Sequence, residues 1–152
     1  MSTFVKGGGV TTPFGRNEYL RSTKVFLTES YTLAAASVPA VIIDGNPGQK
    51  ILQPGTVLAK ITSGGDAGKV GPFSSLTGLV DGRQLSANIV GLNDTFLPWQ
   101  LIERDVEVSA VYGCVAVQAW CTETNAAGAV VPLSNTTADA MRGVKSMQIQ
   151  FK

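Results

Sequence analysis

Residues 51–73, ILQPGTVLAKITSGGDAGKVGPF, decide how the whole chain is read. Pro54-Gly55 suits a type II turn, because proline presets φ at the first central position and glycine accepts a positive φ at the second. Residues 56–62 then alternate. Val57, Ala59 and Ile61 share one side and Leu58 and Lys60 the other, which is the period of a strand. Residues 63–68 form a glycine-rich hairpin connection, and residues 69–73 resume an extended pattern. A further hairpin signal follows at Asp81-Gly82. Turn, strand, turn, strand is the beginning of a small β-barrel built for shape and contact.

Outward from this stretch the same grammar continues. Toward the N-terminus, residues 23–33 predict a strand with Val25, Leu27, Glu29 and Tyr31 on one face and Phe26, Thr28, Ser30 and Thr32 on the other. Residues 38–43 predict a short apolar strand, ended by the turn cluster at residues 44–48. Toward the C-terminus, residues 87–92 predict a strand and residues 93–104 a loop. Residues 105–120 carry the longest strand pattern, broken or bulged at Gly113. A polar turn is expected at residues 122–128, a strand at 129–133 and a closing strand at 145–152 with Met147, Ile149 and Phe151 on one face. The one convincing helix spans residues 135–142, capped by Asn135 or Thr136 and ended by Gly143. The fold class predicted is all-β: a small β-barrel or β-sandwich-like domain with one short helix and an extended N-terminal arm. Closure into a barrel removes edges that so apolar a chain would otherwise have to protect.

The chain has 152 residues, which fits one domain with a single sizeable core. Apolar residues make up 44% and charged residues 15%, a balance that excludes a disordered chain. So low a charge implies either a surface covered by partners or one rich in Ser, Thr, Gln and Gly. The net charge of +1 gives no electrostatic case for nucleic acid. It is unevenly placed: Lys6, Arg16, Arg21 and Lys24 against Glu18 give residues 1–24 a charge of +3. Residues 1–22 therefore read as a basic arm with apolar anchors at Phe4, Val5, Phe14, Tyr19 and Leu20, preceding a β-rich domain at residues 23–152. The arm either orders against a neighbour or folds back onto its own barrel. Residues 1–9 hold no apolar signal segment, and no apolar run reaches the ~20 residues of a membrane helix, so no membrane partner and a cytoplasmic site of synthesis are expected.

Catalytic chemistry finds little footing. The chain has no histidine, so serine nucleophiles lack their usual base. Residues 63–70, SGGDAGKV, approach a phosphate-binding loop but place Ser63 where the first glycine belongs and Val70 where the metal-binding hydroxyl belongs. A strand pattern, not a helix, follows. Asp105 and Glu107 would share one face of a strand, a spacing open to carboxylate-pair chemistry or to a hard cation, but the alternation of residues 105–109 equally describes a solvent face with Arg104 as charge neighbour. Cys114 and Cys121 would stand about 23 Å apart on one strand and face opposite sides, excluding a disulfide. Both read as buried, reduced small hydrophobes. Two cysteines without histidine make no ordinary zinc site. No catalytic residue, cofactor or metal is expected. Trp99, in a loop after proline, is a contact residue or a plug for the barrel end, and Trp120 reads as core.

With residues 54–62 (PGTVLAKIT), Gly68-Lys69-Val70 and Asp81-Gly82, followed by the apolar-Gly-apolar runs at residues 89–92 and 111–115, the chain resembles the head decoration proteins of tailed bacteriophages, the lambda-like capsid-stabilising family. The likeness covers roughly residues 38–121. It implies a β-tulip-type domain that assembles as a homotrimer on the exterior of an icosahedral virion. There it would bind the major capsid protein at three-fold positions and stabilise the expanded shell against DNA pressure. The arm, with Phe4, Val5, Phe14, Arg16, Tyr19, Leu20 and also Trp99, would supply trimer and capsid contacts. Departures are the extended N-terminus, the inserted residues 93–104 and the tail after Thr122. The rival readings are a tail or baseplate β-domain, and a virion-displayed carbohydrate-binding module using Trp99 and Tyr112 as an exposed aromatic platform.

Overall fold

The structure is a computed structural model that describes residues 18–43, 45–98, 104–144 and 147–152. Among these lie ten strands and one α-helix: β1 Leu20–Leu33, β2 Val41–Ile43, β3 Asn46–Gln49, β4 Val57–Lys60, β5 Val70–Pro72, β6 Ile89–Asn93, β7 Val106–Ala116, β8 Thr122–Thr124, β9 Val130–Pro132, α1 Asn135–Arg142 and β10 Gln148–Phe151. Strands β1-β5-β4-β6-β7 are hydrogen-bonded in that order, and β7 pairs back onto β1, closing a five-stranded barrel. The pairings are antiparallel except β1 with β5, which meet in parallel register at Leu33↔Val70. β7 carries β1 along one edge. Its other edge is shared, first by β6 at Val111 and Ala110, then by β10 in parallel from Gly113 to Ala116. The all-β class, the barrel and the single short helix expected from sequence are all present.

The deciding stretch folds as its residues dictate. Gly55 has φ +88°, the conformation the Pro54-Gly55 turn requires. A Cβ there would lie 2.8 Å from the Tyr19 Cβ, so glycine is also needed for packing. Residues 61–69 close the β4–β5 hairpin through Gly68 N–H to Ile61 O at 2.9 Å and Ile61 N–H to Lys69 O at 2.9 Å. Gly91 stands beside an irregularity in the β4–β6 pairing with φ +151°, and a Cβ there would sit 2.4 Å from Val111 O. The apolar-Gly-apolar pattern of β6 is thus a close backbone crossing over β7.

Two apolar cores account for the low charge. One is filled by Leu33, Val38, Leu52, Leu58, Val70, Leu97, Val108 and Ala110, with Val90 packed against it, so all five barrel strands contribute. It is the barrel lumen. The other gathers Val57, Ala59, Leu92, Val111, Cys114 and Ala116 from the outer face of β4, β6 and β7, under Leu133, Ala138, Met141, Ile149 and Phe151 of the C-terminal segment. The alternation of β4 therefore separates two interiors, not inside from outside: Val57 and Ala59 enter one and Leu58 the other.

Several expectations are corrected. β1 begins at Leu20 and Tyr19 is 1% exposed, so the barrel starts before residue 23. β7 is one strand, and it bulges beside Gly113 as expected: Leu27 and Thr28 are adjacent on β1 while their partners Gly113 and Val111 skip Tyr112. A larger irregularity lies on β1, where the five steps from Ser22 to Leu27 face two on β7 from Val115 to Gly113. Leu27 lies over Gly113, where a Cβ would come within 2.9 Å of its side chain. Residues 46–48, expected as turn, belong to β3. Asp81-Gly82 makes no hairpin, because β5 and β6 are not neighbours. It folds a long connection back over Thr62, whose N–H donates to Asp81 O at 2.7 Å. Residues 122–124, expected as polar turn, form β8, and α1 is capped by Ser134, whose Oγ accepts from Thr137 N–H at 3.2 Å. Gly143 ends the helix at φ −78°, not in the left-handed region.

Candidate contact surface

The groups singled out for chemistry are engaged structurally. Lys69, at the end of the glycine-rich hairpin, places its Nζ 2.7 Å from Asp66 Oδ1 and 2.6 Å from Asp105 Oδ2. These bonds, that to Asp105 first, raise the lysine pKa. Asp105 also accepts from Ala35 N–H at 2.8 Å, and its pKa is lowered by Lys69 and then by that amide. The loop that approaches a phosphate-binding sequence is thus a hairpin whose cation is held by two carboxylates. Asp105 precedes β7, while Glu107 is exposed opposite Thr32 of β1. The charge neighbour of Asp105 is Lys69, where the sequence reading named Arg104. A cleft of about 320 Å³ lies elsewhere, lined by Cys114, Val115, Arg142 and residues 147–150. Its guanidinium pairs with Asp139 and lies over the Phe151 ring, 5.6 Å from the centroid. Among the described residues no three His, Cys, Asp or Glu side chains group as a metal site. No described helix is long and apolar enough to cross a membrane.

Cys114 and Cys121 are free and buried, as expected, but not on one strand. A 3₁₀ turn at Gln118–Trp120 folds the chain back, so both thiols enter the same core. Burial pushes Cys114 up to about 11 and Cys121 up to about 12. Tyr19 shares that core and donates its hydroxyl to Asp94 Oδ1 at 2.9 Å, and burial followed by the Asp94 charge raises its pKa strongly.

Of the residues proposed as contacts, Tyr19 is thus an anchor within its own barrel, and Leu20 is half-buried against the same core. These two follow the fold-back alternative. Phe4, Val5, Phe14, Arg16 and Trp99 lie outside the described residues. Tyr112 and Trp120 are half-buried against the core. Leu97 plugs the barrel lumen, bridged to Leu52.

The surface presents apolar side chains the sequence reading did not select. Ile42 is 73% exposed on the β2–β3 hairpin, with Val41 beside it. Val80 at 81% and Leu85 at 53% stand on the connection between β5 and β6. Leu76, on the same connection, faces Gly128 at the tip of the β8–β9 hairpin, and Val130 of β9 is exposed. Phe26 and Leu27 are exposed on β1. Most of these positions sit on excursions beyond the five barrel strands, where alternation is too short to mark an outward residue. Glu123 was also missed. It is buried, and its Oε2 has no hydrogen-bond partner among the described residues.

Comparison of the chain with protein-family models, with curated proteins and with solved structures finds no match.

Proposed function

We propose that this chain is a structural virion protein without enzymatic activity, a head decoration protein. It binds the outside of an icosahedral phage capsid as trimers at three-fold positions and holds neighbouring major capsid protein subunits together against DNA pressure. The observation that carries the reading is the spread of exposed apolar side chains over the excursions of a small closed barrel: Ile42, Val80, Leu85, Leu76 and Val130. Packed against neighbouring subunits, such side chains would supply the apolar part of a protein interface. Lys69, Asp66 and Asp105 are meanwhile spent on fixing the β4–β5 hairpin. The basic residues 1–17 and the short motifs of residues 54–82 support the same reading.

A trimer making three equal contacts turns weak individual affinities into tight attachment, with gains of about 10²–10⁴. A protein that binds only the expanded shell stabilises that state by mass action. The test is co-sedimentation of the purified chain with expanded and unexpanded shells, beside its mass in solution. Selective binding to the expanded shell is expected. Deleting residues 1–17, which stops short of the buried Tyr19, is expected to weaken binding about tenfold or more while the barrel stays folded. Absence of binding to either shell refutes the proposal.

A further inference from the structure

We propose that neighbouring copies of this chain are joined head to tail: the β2–β3 hairpin of one adds to the free edge of β10 of the next, with Ile42 seated in the cleft beside that edge. The inference rests on the trimer of the preceding reading and says which surfaces close it. The donor is the hairpin. Among the described residues β2 and β3 pair only with each other, apart from the six-stranded sheet. A two-stranded hairpin by itself is marginally stable in water. Open space surrounds this one: a Cβ at Gly45 or Gly48 would meet no described atom within 4 Å, and Val41 and Ile42 are exposed. Pro47 on β3 has no N–H to give, which leaves β2 as the edge that pairs.

The acceptor is β10. It ends the six-stranded sheet, and its pairing among the described residues is with β7 alone. Lys152 donates its N–H to Ala116 O at 2.9 Å and accepts from Gln118 N–H at 3.0 Å, so its main chain faces β7. By the two-residue period Gln148 and Gln150 do the same, while Ile149 and Phe151 turn their N–H and C=O to the open edge. Such an edge takes an extended segment through main-chain bonds, and a neighbouring pocket selects the side chain. The cleft of about 320 Å³ runs along residues 147–150, with Val115, Met147 and Ile149 as its apolar part. It suits a branched aliphatic side chain, and β2 offers Ile42, 73% exposed.

One copy cannot satisfy itself. The hairpin is rooted where Lys50 Nζ donates to Ala35 O at 2.7 Å and Ala35 N–H donates to Asp105 Oδ1 at 2.8 Å, just before β7. β10 lies against the far part of β7, from Gly113 to Ala116. Asp105 to Gly113 is about 26 Å of extended strand at ~3.3 Å per residue, and a hairpin with strands as short as β2 and β3 spans about half of that. A donor at one end and an acceptor at the other make a heterologous contact, which closes into a ring when the rotation allows. A ring of three copies matches the three-fold positions of the preceding reading.

The test uses the isolated full-length chain in sedimentation equilibrium over a wide concentration series. Wild type is expected to form a trimer. Ile42→Asp spoils the donor and Gln150→Trp fills the acceptor. Both positions are exposed, so melting is expected to stay near wild type while association weakens about tenfold or more. A mixture of the two variants keeps one sound contact, between the intact hairpin of the Gln150→Trp chain and the intact β10 of the Ile42→Asp chain. It is expected to give pairs and no trimer. Amide exchange at Ile149 and Phe151 is expected to be slower in wild type than in Ile42→Asp. The inference is overturned if wild type stays a single copy at every concentration, if its trimer ignores both variants, or if the mixture associates no better than either variant alone. A trimer that ignores both variants yet selects the expanded shell leaves the decoration reading standing. A wild type that binds neither shell refutes the decoration reading, and the hairpin contact is then judged on mass alone.

Discussion

At the scale of single residues, this fold depends on glycines placed where backbone meets backbone. Gly91→Ala would drive a Cβ to 2.4 Å from Val111 O, at a φ of +151°. A loss of about 3 kcal/mol or more is expected by urea denaturation. Gly65→Ala, with nothing within 4 Å of its Cβ position, is expected within about 0.5 kcal/mol of wild type. Asp105 works through charge. Its folded pKa lies below the ordinary 3.8, so its contribution is present above that value and is lost as pH falls through the folded one. Asp105→Asn is expected to be less stable at neutral pH and to show a flatter acid limb in pH-dependent melting. Cys114 and Cys121 act in the opposite sense. Their folded pKa values, about 11 and about 12, exceed the ordinary 9.0, so the unfolded chain loses these protons first. Stability is expected to fall as pH rises from about 9. Both thiols are expected to resist labelling in the native protein near neutral pH and to label together in denaturant. The burial of these cysteines was legible in their type. Their shared core was not, because the 3₁₀ turn between them leaves no mark in a run of alternating residues.

At the scale of elements, legibility followed periodicity. β4, β6, β7 and β10 carry enough apolar residues in sequence to be recognised, and the Pro54-Gly55 turn has a chemistry of its own. α1 was legible from capping chemistry at its start and Gly143 at its end, and the structure buries Thr137, Ala138 and Met141 on one side of it. Its cap was misplaced by one or two residues, since Ser134, Asn135 and Thr136 all have capping chemistry and only the chain path selects among them. Ser134→Ala is expected to cost about 1 kcal/mol, read by urea denaturation, because it strands the Thr137 amide. β3 and β8 were hidden for different reasons. Pro47-Gly48 ordinarily signals a turn, yet β3 is an exposed hairpin strand that tolerates both residues. Residues 122–124 are polar, and they pair with Pro132, Val131 and Val130 while bridging Thr56 and Ser74, so their strand character comes from neighbours far along the chain.

At the scale of the whole molecule, the sequence yields the class and the expectation of a closed barrel, but not which strands close it. Nothing in a linear pattern tells that β1 and β7 meet, or that β4 divides two interiors. The second core also answers the puzzle of composition. A barrel with its lumen filled and one outer flank covered by α1 and β10 hides many apolar residues within a single chain. The joining of β1 to β7 has a consequence for synthesis. Leu20 meets Ala116 and Leu33 meets Val106, so on the ribosome β1 waits for a partner made several dozen codons later. Until then its apolar positions have no home, and contacts between segments so distant form slowly. β1 is exposed until β7 emerges, a period in which chaperone capture and premature association compete with folding.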